Sequence, residues 1–402
     1  MKDLAKSGWA SKPLASFAKT GAGGTPKKSN KAFYEGGDIP WLLSGEVANA
    51  NIMEAKNFIT AEGLKGSSAK LFPPNSVLVA MYGATAGEVG ILRFEAATNQ
   101  AVCAVLPSDE HVPEYLYYYL LHAKPSLVAQ AVGNAQPNIS QAKIKSLEIP
   151  LPPLEEQQRI VEVLDEAFEG LARARVHAEA NLQNARELSE ASVDATFERL
   201  PDATPVDDLQ NFCTERGITY GVIKLGEHKP DGVPCLRTSN VKPLYIDTEG
   251  MKWIAPELSD EYRRTILEGG EVLVNVRGTL GGVATVPEDM VGWNISREVA
   301  MVPVDHTRLD PDFASFFIST RKAQNWLTGV VKGAAYKGIN LTDLRLLKIP
   351  VPTLEVQNEV IEEVKELRQR MISAEAAYKE KLSNLDDLRQ SLLQKAFAGE
   401  LT

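Results

Sequence analysis

Three cysteines and five histidines among 402 residues leave little material for a metal or redox centre. Cys103, Cys213 and Cys235 are far apart and show no CxxC or Cys/His ligand spacing, so they read as reduced core residues, with no zinc site or disulfide framework. His111, His122, His177, His228 and His306 are scattered singly. No stretch approaches the roughly 18 apolar residues of a membrane span, and Met1–Lys6 has no apolar signal-peptide core. A cytoplasmic chain with no membrane partner is therefore expected. Catalytic motifs are missing as well: there is no GxxxxGK[ST], HExxH or GxSxG, and no [DN]PP[YF] base-flipping tetrapeptide. The glycine-rich Gly21–Thr25 and Gly278–Gly282 complete no dinucleotide fingerprint and read as turns or close backbone approaches. Glu155–Glu156 and Glu362–Glu363 lie where helices begin, and carboxylates there suit the helix dipole rather than acid–base chemistry.

Cations are in short supply too, with 43 Lys and Arg against 53 Asp and Glu and a net charge of −10. Taken over the whole chain, that balance argues against a nucleic-acid partner. The remaining composition, 44% hydrophobic and 24% charged, is that of an ordinary globular protein, long enough for two to four domains.

What the sequence does contain is itself, twice. Gly37-Asp38-Ile39-Pro40-Trp41-Leu42 faces Asp231-Gly232-Val233-Pro234-Cys235-Leu236, and Val77-Leu78-Val79-Ala80-Met81-Tyr82-Gly83 faces Val272-Leu273-Val274-Asn275-Val276-Arg277-Gly278. Pro113-Glu114-Tyr115 faces Pro311-Asp312-Phe313, Ile149-Pro150-Leu151-Pro152-Pro153-Leu154-Glu155-Glu156-Gln157 faces Ile349-Pro350-Val351-Pro352-Thr353-Leu354-Glu355-Val356-Gln357, and Phe197 faces Phe397. Short apolar runs at 39–43, 77–82, 89–94, 101–106, 233–237, 272–276 and 299–304 read as strands, and 113–131 and 311–327 as helices packed on them. The spacing is that of an α+β fold without strict strand–helix alternation.

Each globular stretch leads into a long polar segment with an apolar stripe. The first carries Val161, Leu164, Phe168, Leu171, Ala178, Leu182, Ala185 and Leu188, interrupted by Arg175. The second carries Val360, Val364, Leu367, Met371, Ala374, Tyr378, Leu385, Leu388 and Leu392, interrupted by Lys381. Alternating three- and four-residue steps over several heptads predict a coiled coil, and pairing about a pseudo-two-fold axis makes it antiparallel. The expected organisation is two globular domains, 1–150 and 201–350, and two spacer helices, 151–200 and 351–402, with the domains at opposite ends of a rod and the C-terminus returning close to the first domain. Charge follows this division. Residues 151–200 hold five cations and eleven acids and residues 351–402 seven and ten, whereas 1–150 hold fourteen and twelve and 201–350 seventeen and twenty. Most of the negative excess thus lies in the helices, which weakens the objection to nucleic acid.

Gly24-Thr25-Pro26 ahead of Gly37–Trp41, the Arg277-Gly278-Thr279-Leu280-Gly281 turn, the doubled Ile-Pro-x-Pro-x-Leu-Glu-x-Gln and the ending Leu388–Leu401 resemble the specificity subunits of type I restriction-modification enzymes over essentially the whole chain. The resemblance implies two target-recognition domains, each reading half of a bipartite double-stranded DNA site, on paired helices that dock two modification (methyltransferase) subunits and, through them, restriction subunits. It implies no catalysis and no cofactor in this chain, with S-adenosylmethionine and ATP bound by the partners. The first copy departs from the pattern, having Tyr82-Gly83-Ala84-Thr85 where the second has the Arg-Gly-Thr turn.

Base reading needs long polar side chains on loops, with Lys and Arg on phosphates. In the first domain the candidates are Lys27, Lys28, Asn30, Lys31, Ser44, Tyr82, Thr85, Asn99, Gln100, Asn134 and Gln136. In the second they are Arg216, Tyr220, Lys224, Arg237, Thr238, Asn240, Arg277, Thr279, Arg297, Lys332, Tyr336 and Lys337. For each, a solvated charge or an internal turn hydrogen bond is the competing role. Two other functions stay open at this point: the specificity subunit of a related bipartite system whose partner fuses methylase and nuclease, and a two-headed coiled-coil scaffold that binds no DNA.

Overall fold

The computed structural model describes residues 9–48, 50–129, 138–329 and 338–401. They form two compact units, one running to Ala178 and resuming at Glu380, the other spanning Glu179–Lys379. The first contains strands β1 (Thr20–Ala22), β2 (Ile39–Leu42), β3 (Val77–Ala80), β4 (Val89–Leu92), β5 (Ala96–Thr98) and β6 (Val102–Val105). The second repeats them as β7 (Thr219–Tyr220), β8 (Val233–Leu236), β9 (Val272–Asn275), β10 (Val283–Thr285), β11 (Asn294–Ile295) and β12 (Val299–Val302). The main sheets share the antiparallel order β1-β6-β3-β4 and β7-β12-β9-β10, and the first adds the short strand Asn51–Ile52 parallel to β4 at its edge. The parallel pairs β2/β5 and β8/β11 belong to a second, smaller sheet in each unit.

The continuous apolar run of β3 follows from burial on both faces. Val77 and Val79 point into one core with Tyr115, Leu116 and Leu120, while Leu78 and Ala80 point into another with Leu42 and Phe72. In the second unit Val272 and Val274 pack with Phe313 and Phe317, and Leu273 with Leu236 and Ile295. The period of two along a strand thus assigns each side chain to its layer.

Helix α1 (Pro113–Ala129) covers the first sheet. Its counterpart is two helices, α3 (Pro311–Ser319) and α4 (Arg321–Gly329), rather than the single segment expected. Thr320 adopts an extended backbone between them, and its Oγ1 accepts from the Ala323 N–H at 3.3 Å. The polar segments are helices α2 (Leu154–Glu198) and α5 (Leu354–Ala398), each 45 residues long. Within the first unit Arg175 of α2 pairs with Asp386 of α5, and Arg389 lies 5.0 Å over the Phe168 ring. Within the second, Arg186 meets Glu375 at 2.6 Å and Arg199 pairs with Glu363. As the number rises on α2 it falls on α5, so the pairing is antiparallel in each unit. The seam departs from expectation at three places: Leu388 is 48% exposed, Leu188 is 69% exposed, and Ser189, one residue further round the helix from Leu188, is half-buried. On α5, Lys381 is exposed and Leu382 half-buried. One residue rotates a side chain by about 100° on a helix, enough to move it from seam to solvent.

The entry to each long helix is fastened twice. Edge strands Ala10–Pro13 and Glu148–Leu151 pair antiparallel, as do Val206–Asp208 and Lys348–Pro350. Beyond them, Gln157 and Gln357 are fully buried. Gln157 accepts from the Val112 N–H at 2.8 Å and donates to the carbonyls of Glu110 and Pro152, both at 3.0 Å. Gln357 accepts from the Asp310 N–H at 2.8 Å and donates to Arg308 at 3.0 Å and Pro352 at 2.9 Å. The last residue of the doubled motif therefore clamps the helix entry to the loop preceding the sheet-covering helix.

His111 in the first unit is buried, 5.7 Å from Phe17 ring to ring, with Nδ1 2.8 Å from Ser108 Oγ. Burial pushes its pKa down to about 4, against a smaller opposing effect of Glu110. An unfolded imidazole takes up a proton near pH 6.5 while the folded one does not until about 4. Stability therefore falls as pH drops through that window, by about 1.4 kcal/mol per pH unit from this group, and is unaffected by it at higher pH. Burial shifts His122 the same way. Urea unfolding between pH 7.5 and 4.5 should show a shallower pH slope for His111→Gln than for the wild type. Equal slopes would show that His111 is not the group responsible.

Candidate nucleic-acid interface

Because the two main sheets share their register, the repeat pairs reader positions one to one. Val102 lies opposite Ala80 and Val299 opposite Asn275, so Tyr82 and Arg277 leave equivalent strands at equivalent points, and Gln100 corresponds to Arg297. Both Tyr82 and Arg277 form an isolated antiparallel bridge, with Asn138 and Gly338 respectively. Ile139 N–H donates to the Met81 carbonyl and Ile339 N–H to the Val276 carbonyl, each at 2.8 Å. The chain then turns through Gly83 and Gly278, whose φ values of 72° and 69° lie in the region glycine enters at little cost. The architecture is the same and the exposed side chain differs.

In the second unit four loops meet here. Arg277 N–H donates to the Glu298 carbonyl at 3.2 Å, Arg297 N–H to Val222 at 2.9 Å, and Ser296 N–H to Leu236 at 2.8 Å. A side chain at Gly278 would approach Thr238 Oγ1 to 3.7 Å. Tyr220 and Arg277 line one cavity of about 460 Å³ with Val276 and residues Ile339–Asp343. Expected residues Tyr220, Thr238, Arg277 and Arg297 are thus brought together, and Thr279 and Lys224 are exposed nearby in sequence. Asn340, Thr342 and Asp343, together with Glu298, were not foreseen. Asn340 opens a short helix, Leu341–Arg345, whose placement depends on the bridge at Gly338.

Other candidates have internal roles. Arg216 donates through Nη1 to Glu271 at 2.7 Å and reaches Glu268 at 2.9 Å, while Nη2 donates to the Ile266 carbonyl. Glu271 is buried and also accepts from the N–H groups of Glu268 at 2.8 Å and Gly269 at 3.0 Å. Removing Arg216 leaves a buried carboxylate with backbone donors alone. Breaking a buried pair costs about 3–5 kcal/mol, and since Arg216 is one-fifth exposed, Arg216→Ala should destabilise the second unit by about 2–3 kcal/mol. Chemical denaturation checks this, and a loss below about 0.5 kcal/mol would make the pair a surface feature. Asn240 is fully buried: Oδ1 accepts from the Arg237 N–H at 3.0 Å and Nδ2 donates to Asp247 at 2.9 Å. Glu46 does the same for the equivalent turn, accepting from the Leu43 N–H at 2.8 Å, so this position shapes the turn in both copies. Arg237 donates through Nη2 to the Gly250 carbonyl at 2.6 Å.

In the first unit Lys27 and Lys28 are exposed, and Lys31 pairs with Glu35 at 3.7 Å in solvent. Asn30 Oδ1 accepts from Ala32 N–H at 3.3 Å, and Asn99 Oδ1 from Ala101 N–H at 3.1 Å, so both hold local turns. Ser44 opens the turn corresponding to Thr238, Thr85 Oγ1 donates to the Tyr82 carbonyl at 3.3 Å, and Gln100 is exposed beside Thr25, whose hydroxyl donates to its Oε1. Asn134, Gln136, Lys332, Tyr336 and Lys337 lie outside the described residues. Among the described residues no group of His, Cys, Asp and Glu is placed to hold a metal ion, and no helix is long and apolar enough to cross a membrane.

Residues 6–176 and 228–384 match the family described as type I restriction modification DNA specificity domain. The chain is similar to the Type I restriction enzyme EcoBI specificity subunit of Escherichia coli, with 27% identity over 334 residues, 76% of this chain and 70% of the relative. It is similar also to the EcoKI specificity subunit of Escherichia coli strain K12, at 23% identity, covering 98% of this chain and 89% of the relative. Its fold is shared with a chain solved for the assembly and conformational transition of the type I R-M system, at TM-score 0.76 and 18% identity, covering 98% and 99% of the two chains. The HsdS subunit from Thermoanaerobacter tengcongensis aligns at TM-score 0.59 and 18% identity over 98% of each chain.

Proposed function

Since this chain belongs to the specificity subunits of type I restriction-modification systems, we propose that its two units read the two halves of an asymmetric DNA site and that its paired helices carry adenine methyltransferase subunits, with restriction subunits joining through them. The observation that carries this reading is the unlike pair at like positions: Tyr82 and Gln100 in one unit, Arg277 and Arg297 in the other, on matching strand ends. Unlike readers on a common scaffold recognise unlike half-sites, and a fixed scaffold fixes their spacing. Catalysis belongs to the partners, which would bind S-adenosylmethionine and ATP. Apolar side chains exposed on the helices suit protein docking: Val176 and Leu388 on the first unit, Leu188 and Ile372 on the second. The acids concentrated in 151–200 and 351–402 also favour a protein contact over a phosphate backbone there.

Deleting the gene and sequencing the methylome tests the reading: one bipartite N6-methyladenine motif should vanish, and an unchanged methylome would refute it. At the residue level, Arg277→Ala should weaken duplex binding by the assembled complex by about 1–3 kcal/mol, as expected for a good bidentate base contact. A salt-controlled titration showing no change would remove Arg277 from the interface.

A further inference from the structure

We infer that Arg277 reads the major-groove edge of a guanine in the half-site bound by the second unit, and that Gly338 is the positioning residue that lets its side chain lie in the reading pose. The inference rests on the DNA-reading function proposed above and assigns the base and the reading atoms within it. Arg216 and Arg297 of the same unit pair with carboxylates and Arg237 donates to a backbone carbonyl. Arg277 differs. It is exposed, and its guanidinium forms no hydrogen bond or ion pair among the described residues. Its backbone is nevertheless held on both sides, by the bond to Glu298 and the bridge to Gly338. The stem crosses Gly338 so closely that a β-carbon there would sit 3.1 Å from Arg277 Cγ and 3.1 Å from the Val276 carbonyl oxygen. A fixed stem with an uncommitted planar fork is the arrangement in which arginine loses least freedom on forming two parallel hydrogen bonds.

A phosphate is the competing partner, and the surroundings disfavour it. Asp343 lines the cavity with Arg277, whereas Glu298 accepts from the Arg277 N–H through its main-chain carbonyl and its carboxylate pairs with Arg297. The Asp343 carboxylate in this lining opposes a phosphate, and the 201–350 segment carries more acids than cations. Guanine O6 and N7 are uncharged acceptors spaced for a bidentate guanidinium, and the paired cytosine offers an N4 donor that carboxylates tolerate. In the first unit the equivalent bridge is Tyr82–Asn138, and a phenol cannot present two parallel donors. The guanine contact is therefore confined to one half-site.

The test uses the assembled complex with its modification subunits and duplexes carrying the motif from methylome sequencing. Each guanine is replaced in turn by 7-deazaguanine, which keeps its pairing but lacks N7. For the wild type, one guanine in one half should be sensitive, with roughly tenfold weaker binding, as expected for losing part of a bidentate contact. In Arg277→Ala the same replacement should change binding less than twofold. Arg277→Lys should likewise lose that sensitivity while keeping its salt dependence, and Gly338→Ala should reduce it with little change at other positions. If Arg277→Ala instead weakens all duplexes alike, lowers the salt slope by about one and leaves the 7-deazaguanine effect intact, Arg277 binds phosphate and the inference is wrong. Insensitivity of every guanine in the wild type also overturns it, with the bipartite reading left standing. Absence of any bipartite motif would instead be the failure of the proposed function.

Discussion

Gln357→Leu should destabilise the second unit by about 4 kcal/mol. Leucine fits the space but makes none of the three hydrogen bonds, leaving the Asp310 N–H and the carbonyls of Arg308 and Pro352 without the side chain that pairs them. Each buried backbone group left unpaired costs about 1–3 kcal/mol, and water cannot reach the site because Gln357 has no exposed surface. For a unit of this size the loss corresponds to a fall in melting temperature of roughly 10 °C. Gln157→Leu should do the same to the first unit, since its three partners are equivalent. Gln357→Glu, which preserves shape and the acceptor but removes both donors, should also be destabilising. Wild-type stability in both Gln357 variants would show that the clamp is dispensable.

The doubled Ile-Pro-x-Pro-x-Leu-Glu-x-Gln was legible as a repeat, but the role of its final residue was not. The partners of Gln357 include Arg308, almost fifty residues away, and no local pattern announces them. The same distance hid Arg216, whose Glu271 lies 55 residues on: an arginine beside a turn has one appearance in sequence whether it faces DNA or a buried acid. Core strands were readable to within two residues because burial on both faces makes them unbroken apolar runs, as in Val77–Ala80 and Val272–Asn275. Edge strands such as Glu148–Leu151 were not, since Pro150 reads as a breaker and is tolerated only because the strand pairs on one side. The helical seam was legible as a period and misplaced by one residue at Leu188, where propensity and hydrophobicity do not distinguish a seam position from its neighbour. At the interface, the strand-end positions of Tyr82 and Arg277 followed from the repeat. The bridge each of them makes did not, because its partner, Asn138 or Gly338, is an isolated residue outside any strand.

Phe397→Ala should cost the first unit, not the second, about 3–5 kcal/mol, the usual loss for truncating a buried phenylalanine. Although it stands five residues from the end of the sequence, Phe397 is only 3% exposed and belongs to the core built on β3, β6 and α1. Its ring meets Tyr115 at 5.4 Å and Tyr119 at 5.1 Å, both edge to face, a geometry that adds to area burial. Phe197 repeats these contacts in the other unit, with Phe313 at 5.2 Å and Phe317 at 5.6 Å. Each long helix therefore begins on one sheet's core and ends on the other's, and the C-terminal turn is part of the first unit's hydrophobic core. Hydrogen exchange separates the cases. Phe397→Ala should lower protection in Val77–Ala80 and Val102–Val105 while sparing Val272–Asn275, and Phe197→Ala should give the converse. Equal loss in both units from either change would mean that the two cores unfold as one, and no loss from Phe397→Ala would remove the C-terminal turn from the first core.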